Sequence, residues 1–238
     1  MVLKVLLCVS IALEFLSIPL YLKAVKPGRS GKSLLLKMIC STLFVCDGIL
    51  ATAISGGHGK YALLILTGFL LSWLGDFFLH TEKTFCMLAG LVCFLGSHFF
   101  YIAAYSSAAD LYFPGTSFFN LRDTASFLSL TLIAAVFVFL GRKRLEKATF
   151  PIMLYSAVLI LMFVKAFSLC LSLYAAVGLE VIPICAALLP GVFLFVLSDI
   201  FLAVKNFFGK KDSRLFTSLN IITYYAAQHL LAVTIIFI

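Results

Sequence analysis

The chain has 238 residues, of which 63% are hydrophobic and only 12% are charged. A soluble domain carries about 25% charged residues, so this composition excludes a water-soluble globule and predicts an all-α integral membrane protein. In a soluble protein the formal net charge of +8 would suggest a nucleic-acid partner. Membrane proteins concentrate Lys and Arg in their cytoplasmic loops for topological reasons, so no nucleic-acid partner is expected here.

Apolar runs long enough to cross a bilayer follow one another along the whole chain. A spanning helix needs about 20 such residues, and this length predicts eight transmembrane helices in a single domain. The first run resembles a signal peptide but lacks an A-x-A cleavage site, so it is kept as a helix. The predicted helices cover residues 3–22, 34–54, 61–79, 84–106, 124–141, 149–174, 181–205 and 214–237.

The basic residues predict the orientation, because positive charge stays on the cytoplasmic side. Fourteen of the 18 basic residues fall in or beside the connections that follow helices 1, 3, 5 and 7. With eight helices, both termini are then non-cytoplasmic. The fourteen are Lys23, Lys26, Arg29, Lys32, Lys37, Lys83, Arg142, Lys143, Arg144, Lys147, Lys205, Lys210, Lys211 and Arg214.

The longest connection, residues 107–123, contains Pro114-Gly115 and divides the chain into halves of four helices, 1–106 and 124–238. The hexamer at 74–79 (LGDFFL) is similar to the hexamer at 197–202 (LSDIFL), four helices later. This spacing is typical of a parallel duplication about an axis along the membrane normal.

Ionisable residues within apolar spans are the best indicators of function, because each costs roughly 2.5–3.5 kcal/mol at a helix centre. Asp76 and Asp199 lie about 5 and 9 Å from the cytoplasmic ends of helices 3 and 7. Two buried carboxylates at one depth are suited to hold one proton between them, as a general acid and a general base. The alternative is that each only bonds a neighbouring helix or reaches the cytoplasmic surface.

Helix 8 carries a polar stripe of Asn220, Tyr224 and Gln228 with i, i+4, i+8 spacing, and Tyr225 and His229 lie beside it. The stripe predicts an inward-facing pocket wall that holds water or a head group. Hydrogen bonding between helices is the alternative, above all for Asn220 and His229.

His98 and Tyr101 on helix 4 are predicted to line the pocket or to be partners of residues across the bundle. His98 lies about 21 Å from the cytoplasmic end of its helix, a depth that predicts no proton-transfer contact with either aspartate. Lys165, on helix 6, is expected to form a structural ion pair with Asp47 or Glu14.

The seven cysteines form no C-x-x-C pair, so neither a disulfide framework nor a zinc site is predicted. The expected cofactor and metal content is none.

Four stretches together resemble the YhhN-like family, the lysoplasmalogenases. The resemblance covers essentially the whole chain, and Tyr155 and Met162 also fit the family pattern, whereas Lys165 departs from it. The stretches are Ser72-Trp73-Leu74-Gly75-Asp76, 89–105 around Ser97-His98-Phe99-Phe100-Tyr101, Leu197-Ser198-Asp199, and Thr223-Tyr224-Tyr225-Ala226-Ala227-Gln228.

The resemblance implies an ether hydrolase that cleaves the vinyl ether bond of a lysoplasmalogen, releasing a fatty aldehyde and glycerophosphoethanolamine or glycerophosphocholine. It maps the family's paired aspartates onto Asp76 and Asp199. The substrate is then a lysophospholipid that enters from the bilayer. The residues predicted to bind it are His98, Tyr101, Ser198, Tyr224, Tyr225, Gln228 and Lys26.

A membrane transporter or lipid translocator that uses the buried acidic residues is the alternative hypothesis, in which Glu14, Asp47 and Lys165 form a proton or substrate path. Transporter sites lie near the midplane on broken helices, and Pro190 in helix 7 is the residue that would favour such a break. The expected location is the inner membrane in a bacterium or the endoplasmic reticulum in a eukaryote.

Overall fold

The computed structural model describes residues 1–25, 31–56, 59–81, 83–115, 117–208 and 213–238, without the side chains of residues 84 and 147. Within these ranges the chain forms eight long α-helices and no strand. Short 3-10 turns at Glu146–Ala148 and Gly178–Val181 join α5 to α6 and α6 to α7. The helices are α1 (Val2–Ala24), α2 (Gly31–Ser55), α3 (Lys60–Leu79), α4 (Thr84–Tyr112), α5 (Leu121–Leu145), α6 (Thr149–Val177), α7 (Ile182–Phe207) and α8 (Arg214–Thr234).

The helix boundaries differ most from the prediction around the long connection. α4 continues to Tyr112, six residues beyond the predicted end, because the polar residues of this last segment are compatible with a helix and only Pro114-Gly115 stops it. α5 begins at Leu121 because the Asn120 side chain accepts a 2.8 Å hydrogen bond from the Asp123 amide, a helix cap. Asp123 therefore belongs to the helix and not to the connection.

The chain is an all-α multi-pass membrane protein. Six helical runs of the described chain are long and apolar enough to cross a membrane, and the longest, Thr149–Phe207, contains both α6 and α7. α8 is not among them, so the prediction of eight apolar spans is wrong for this helix. The physical reason is the polar stripe of α8, whose Tyr224, Gln228 and His229 are buried inside the protein and lower the helix's mean hydropathy.

The helix contacts repeat after four helices. α2 packs against α3 and α8, while α6 packs against α7 and α4. Consecutive helices α1 and α2 pack together, as do α3 and α4, α5 and α6, and α7 and α8. The duplication of the two halves stays a prediction, and this contact pattern is the one that such a duplication would produce.

Aromatic rings fill the centre of the bundle. Phe44, Phe69, Tyr101, Phe195 and Tyr225 are almost fully buried. Their neighbours lie mostly edge to face, as in Phe69–Tyr101 at 6.1 Å and Phe44–Phe69 at 5.4 Å between ring centroids, an arrangement that aromatic quadrupoles favour. The outer surface is apolar, as expected of helices that face lipid.

Helix α7 is continuous from Ile182 to Phe207, with Pro190 inside it. The break that a transporter site would use is therefore not formed at Pro190.

Gly68 sets the distance between α3 and α4. A Cβ atom at this position would lie 2.3 Å from Cε1 of Tyr101, so only glycine allows this approach. We expect Gly68→Ala to lower the free energy of unfolding by about 1–3 kcal/mol through overpacking, measured as a lower Tm in detergent. Gly31→Ala is the control, because no atom of the described residues lies within 4 Å of its added methyl group. An unchanged Tm for Gly68→Ala would contradict this packing.

Candidate active site

Asp76 lies near the end of α3, where a glycine precedes it. A Cβ at Gly75 would lie 2.7 Å from the Phe94 ring, so the glycine lets α4 approach the backbone of α3 closely beside the carboxylate. Phe94 also packs against Tyr224 of α8, with ring centroids 5.8 Å apart. The Asp76 side chain thus points into a junction of helices and is 4% exposed.

The Asp76 carboxylate is surrounded by donors. Lys37 of α2 places its ammonium 3.0 Å from Oδ1 and donates to the Asp76 backbone carbonyl at 2.9 Å. Ser41 and Tyr224 donate hydroxyl hydrogen bonds to Oδ2 at 2.7 and 2.8 Å. One cation and two hydroxyl donors therefore surround this carboxylate, and hydrogen bonds to an ionised partner are the stronger kind.

Tyr225 supports this arrangement without touching the carboxylate. Its hydroxyl donates to the Lys37 carbonyl at 3.2 Å and lies 3.2 Å from Ser41 Oγ. The residue therefore helps to position the two α2 side chains that hold Asp76.

Asp199 of α7 has a different environment. The Tyr155 hydroxyl of α6 donates to Oδ2 at 2.9 Å, and His98 Nε2 of α4 lies 3.4 Å from the same oxygen. His98 Nδ1 contacts the Phe94 carbonyl, so Nε2 is the ring nitrogen that faces the carboxylate. At 12% exposure, Asp199 is the more open of the two aspartates.

His98 and Asp199 lie closer together than the depths estimated from the sequence predict, with Nε2 3.4 Å from Oδ2. Depth was counted from the ends of two different helices, and α7 extends to Phe207, two residues beyond its predicted end. In addition, each Cα–Cβ bond tilts toward the N-terminus of its helix. Because α4 and α7 run in opposite directions, the two side chains lean toward each other.

Aromatic rings connect the two aspartates. Tyr224, which binds Asp76, packs on Phe195 at 5.6 Å, and Phe195 packs on His98 at 5.0 Å. No hydrogen bond or ion pair joins Asp76 directly to Asp199, both of which are described. The two carboxylates therefore lie along one aromatic wall, which we call the Tyr224–Phe195–His98 wall.

The other predicted site residues, Tyr101, Gln228 and Ser198, form hydrogen bonds between helices near this wall. The Tyr101 hydroxyl donates to Gln228 Oε1 at 3.1 Å and lies 3.3 Å from Ser72 Oγ. The Asn220 amide of α8 donates to both the carbonyl and the hydroxyl of Ser198, at 3.0 and 2.9 Å. The polar stripe of α8 thus faces inward as predicted. Lys26 lies outside the described residues.

Sequence reasoning missed Lys37 and Ser41 as site residues. The sequence indicates Lys37 only as one of the basic residues beside the connection between α1 and α2, yet its side chain is 13% exposed and lies against Asp76. The available signal was the spacing of Ser33, Lys37 and Ser41, which places three polar residues on one face of α2.

A second buried cluster joins three helices. His229 of α8 places Nε2 2.6 Å from Glu14 of α1 and Nδ1 2.5 Å from Asp47 of α2. These three residues could also offer one ligand atom each to a metal ion, since the atoms lie within 4.8 Å of one another. The sequence predicted no such cluster.

Lys165 is not part of the cluster of Glu14, Asp47 and His229. It contacts Asp123 of α5 at 3.1 Å and donates to the Phe118 carbonyl at 2.5 Å, so the predicted pairing with Asp47 or Glu14 is wrong. The reason is that helix 5 is predicted to begin at residue 124, which leaves Asp123 in the preceding connection, whereas α5 begins at Leu121.

The model of the YhhN family matches residues 33–235. The chain belongs to the YhhN family. The match includes Asp76, Asp199 and all their described partners, whereas Glu14 lies before it. The YhhN family is known as the lysoplasmalogenase family, which suggests a hydrolase. No curated protein and no solved structure matches the chain.

The Lys37–Asp76 pair predicts a test by stability. We expect Lys37→Met to lower the free energy of unfolding by about 3–5 kcal/mol, because it leaves a buried carboxylate without its cation. The double variant Lys37→Met/Asp76→Asn should recover most of this loss, measured by thermal unfolding in detergent. Lys4→Met, at an exposed position of α1, is the control. Equal Tm values for the single and double variants would contradict the pair.

Proposed function

We propose that this YhhN-family chain is a lysoplasmalogenase that hydrolyses the vinyl ether bond of a lysophospholipid. The observation that carries the proposal is the contrast between two carboxylates on one aromatic wall. Asp76 is held by a fixed cation, whereas Asp199 faces an imidazole and a phenol. Vinyl ether hydrolysis needs one group that gives a proton and one that stays negative.

Asp199 and His98 are the proposed proton donor. A neutral His98 that donates through Nδ1 presents an acceptor at Nε2, so a protonated Asp199 can share its proton with it. The greater exposure of Asp199 also suits the group that must reach the substrate carbon. In this assignment, Tyr155 orients the carboxyl group through its hydrogen bond to Oδ2.

Asp76 is the proposed base and cation stabiliser. Lys37, Ser41 and Tyr224 contact its two oxygens, and a carboxylate stabilises a developing oxocarbenium ion, as in glycoside hydrolysis. Tyr224, Tyr225, Gln228, Tyr101 and Ser198 are proposed as positioning residues for water, the substrate and the catalytic groups.

The reaction balances with these two acids and one water. The Asp199–His98 proton adds to the β-carbon of the vinyl ether, which forms the oxocarbenium ion. Water attacks the adjacent carbon while Asp76 takes its proton, giving a hemiacetal. Collapse breaks the bond to the glycerol oxygen, which receives the proton from Asp76, and the hemiacetal hydroxyl returns a proton to the Asp199–His98 pair. The products are a fatty aldehyde and the glycerophospho head group.

The same proposal includes the membrane setting. α8 would complete an eight-helix bundle, its polar stripe shielded inside, with both termini non-cytoplasmic. The substrate would enter from the bilayer with its phosphate near the basic residues of the cytoplasmic connections, including Lys26 and Lys32.

The direct test is release of fatty aldehyde from lysoplasmenylethanolamine by the purified chain. We expect Asp76→Asn and Asp199→Asn each to lower the rate by at least about 10²-fold, the scale of a lost acid or base. Asp110→Asn, an exposed aspartate at the end of α4, is the matched control and should keep the wild-type rate.

Normal turnover in both Asp76→Asn and Asp199→Asn would contradict the assignment of the pair. Accumulation of unchanged labelled lipid in proteoliposomes, without aldehyde release by folded wild-type protein, would support the transporter hypothesis instead.

A further inference from the structure

A second polar cleft lies at the other end of the bundle from Asp76, where α4 ends, α5 begins and the second half of α6 passes. Its volume is about 520 Å³. The polar lining comes from Tyr105, Asn120, Asp123, Lys165, Ser168 and Ser172. Neither the proposed acid nor the proposed base contributes to it.

The cleft contains one charge of each sign. Lys165 is 7% and Asp123 is 2% exposed, and their Nζ and Oδ2 atoms lie 3.1 Å apart. A single buried cation would indicate an anionic ligand. A cation and an anion side by side are complementary to a ligand that carries both charges.

Hydroxyl groups add unused hydrogen-bonding capacity. Tyr105 is fully buried in the wall of the cleft, and its hydroxyl has no hydrogen-bond partner among the described residues. A buried hydroxyl without a partner destabilises the protein unless a ligand or water satisfies it. Ser168 and Ser172 follow one another by one turn on the α6 face that lines the cleft.

The surroundings of the cleft indicate a membrane interface. Leu111, Tyr112, Phe118, Phe119 and Leu121 are exposed on the segments that lead into it, and Phe118 packs edge to face on Phe119. Exposed aromatic residues at the ends of spanning helices are typical of the head-group level of a bilayer. An occupant of the cleft can therefore keep its acyl chains in the lipid.

We propose that this cleft binds the zwitterionic head group of a membrane phospholipid of the phosphoethanolamine type. The phosphate would accept hydrogen bonds from Lys165, Ser168 and Ser172, and the ammonium would donate to Asp123. The Tyr105 hydroxyl would donate to a phosphate or ester oxygen. The ligand's head group would bind between α4, α5 and α6, with its acyl chains in the surrounding lipid.

This site is separate from the proposed catalytic one. Lys165 lies ten residues after Tyr155 on the same helix, a separation of about 15 Å. Lipid binding here can therefore be measured without any hydrolysis.

The test is native mass spectrometry of the intact protein in detergent, titrated with diacyl phosphatidylethanolamine, phosphatidylglycerol or diacylglycerol. Because diacyl lipids have no vinyl ether, the readout is independent of the proposed hydrolase activity. We expect tight binding of phosphatidylethanolamine, at least tenfold weaker binding of phosphatidylglycerol, and none of diacylglycerol. Equal binding of all three lipids would overturn the proposal.

Two variants locate the site. Lys165→Met/Asp123→Asn removes both charges together and leaves neither unpaired, and Tyr105→Phe removes only the hydroxyl that lacks a partner, so it should fold normally. We expect each to weaken phosphatidylethanolamine binding at least fivefold, while Lys4→Met/Asp110→Asn, at exposed positions, binds like wild type. Wild-type binding by folded Tyr105→Phe and by the charge variant would overturn the proposal.

Competition by a water-soluble compound tests whether the ligand is a membrane lipid or a free head group. Glycerophosphoethanolamine carries the same charges without acyl chains, and we expect it to compete only weakly. Binding of this compound with no binding of the phospholipid would overturn the assignment to a membrane lipid.

Discussion

The ion pair between Lys37 and Asp76 is the interaction on which the candidate site depends. An isolated carboxylate in the apolar part of a membrane protein is costly, and its cost falls only when a cation and hydroxyl donors surround it. α2 supplies Lys37 and Ser41, and α8 supplies Tyr224. Because the donors come from two helices that pack against each other, the site is complete only when α2 and α8 are packed together in the bundle.

The two aspartates differ because equivalent helices present different side chains to them. Asp76, on the third helix of its half, contacts the second helix of the same half and the fourth helix of the other. Asp199 does the same with α6 and α4. Where Asp76 meets an ammonium, Asp199 meets the phenol of Tyr155, and its second partner is the imidazole of His98. The proposed division into base and acid follows from these differences, and a duplicated ancestor would explain the shared geometry.

Features that depend on one helix alone can be predicted from the sequence, whereas features that depend on how helices are placed relative to one another cannot. Apolar runs predicted α1 to α7, because helix length in a membrane is set by bilayer thickness, although α4 continues six residues beyond its predicted end; α8 is a helix as predicted but is not apolar enough to count as a span. The inward polar stripe of α8 was predicted from helical periodicity. The contact of His98 with Asp199 was not, because depth counted along separate helices ignores both their relative offset and the lean of their side chains. Lys37 was missed because a lysine close to a helix end usually reaches the interface. Asp123 was missed because its capping residue, Asn120, was assigned to a connection.

The central claim is that an acid held by the protein delivers a proton to the β-carbon of a vinyl ether. It is tested most directly by hydrolysis of lysoplasmenylethanolamine in D₂O, with immediate reduction of the aldehyde to the alcohol so that the label cannot exchange. The account predicts one deuterium next to the former carbonyl carbon, in a single configuration, because Asp199 and His98 approach the bound substrate from one face. Product without deuterium, or with deuterium in both configurations equally, would contradict a proton donor fixed in the site.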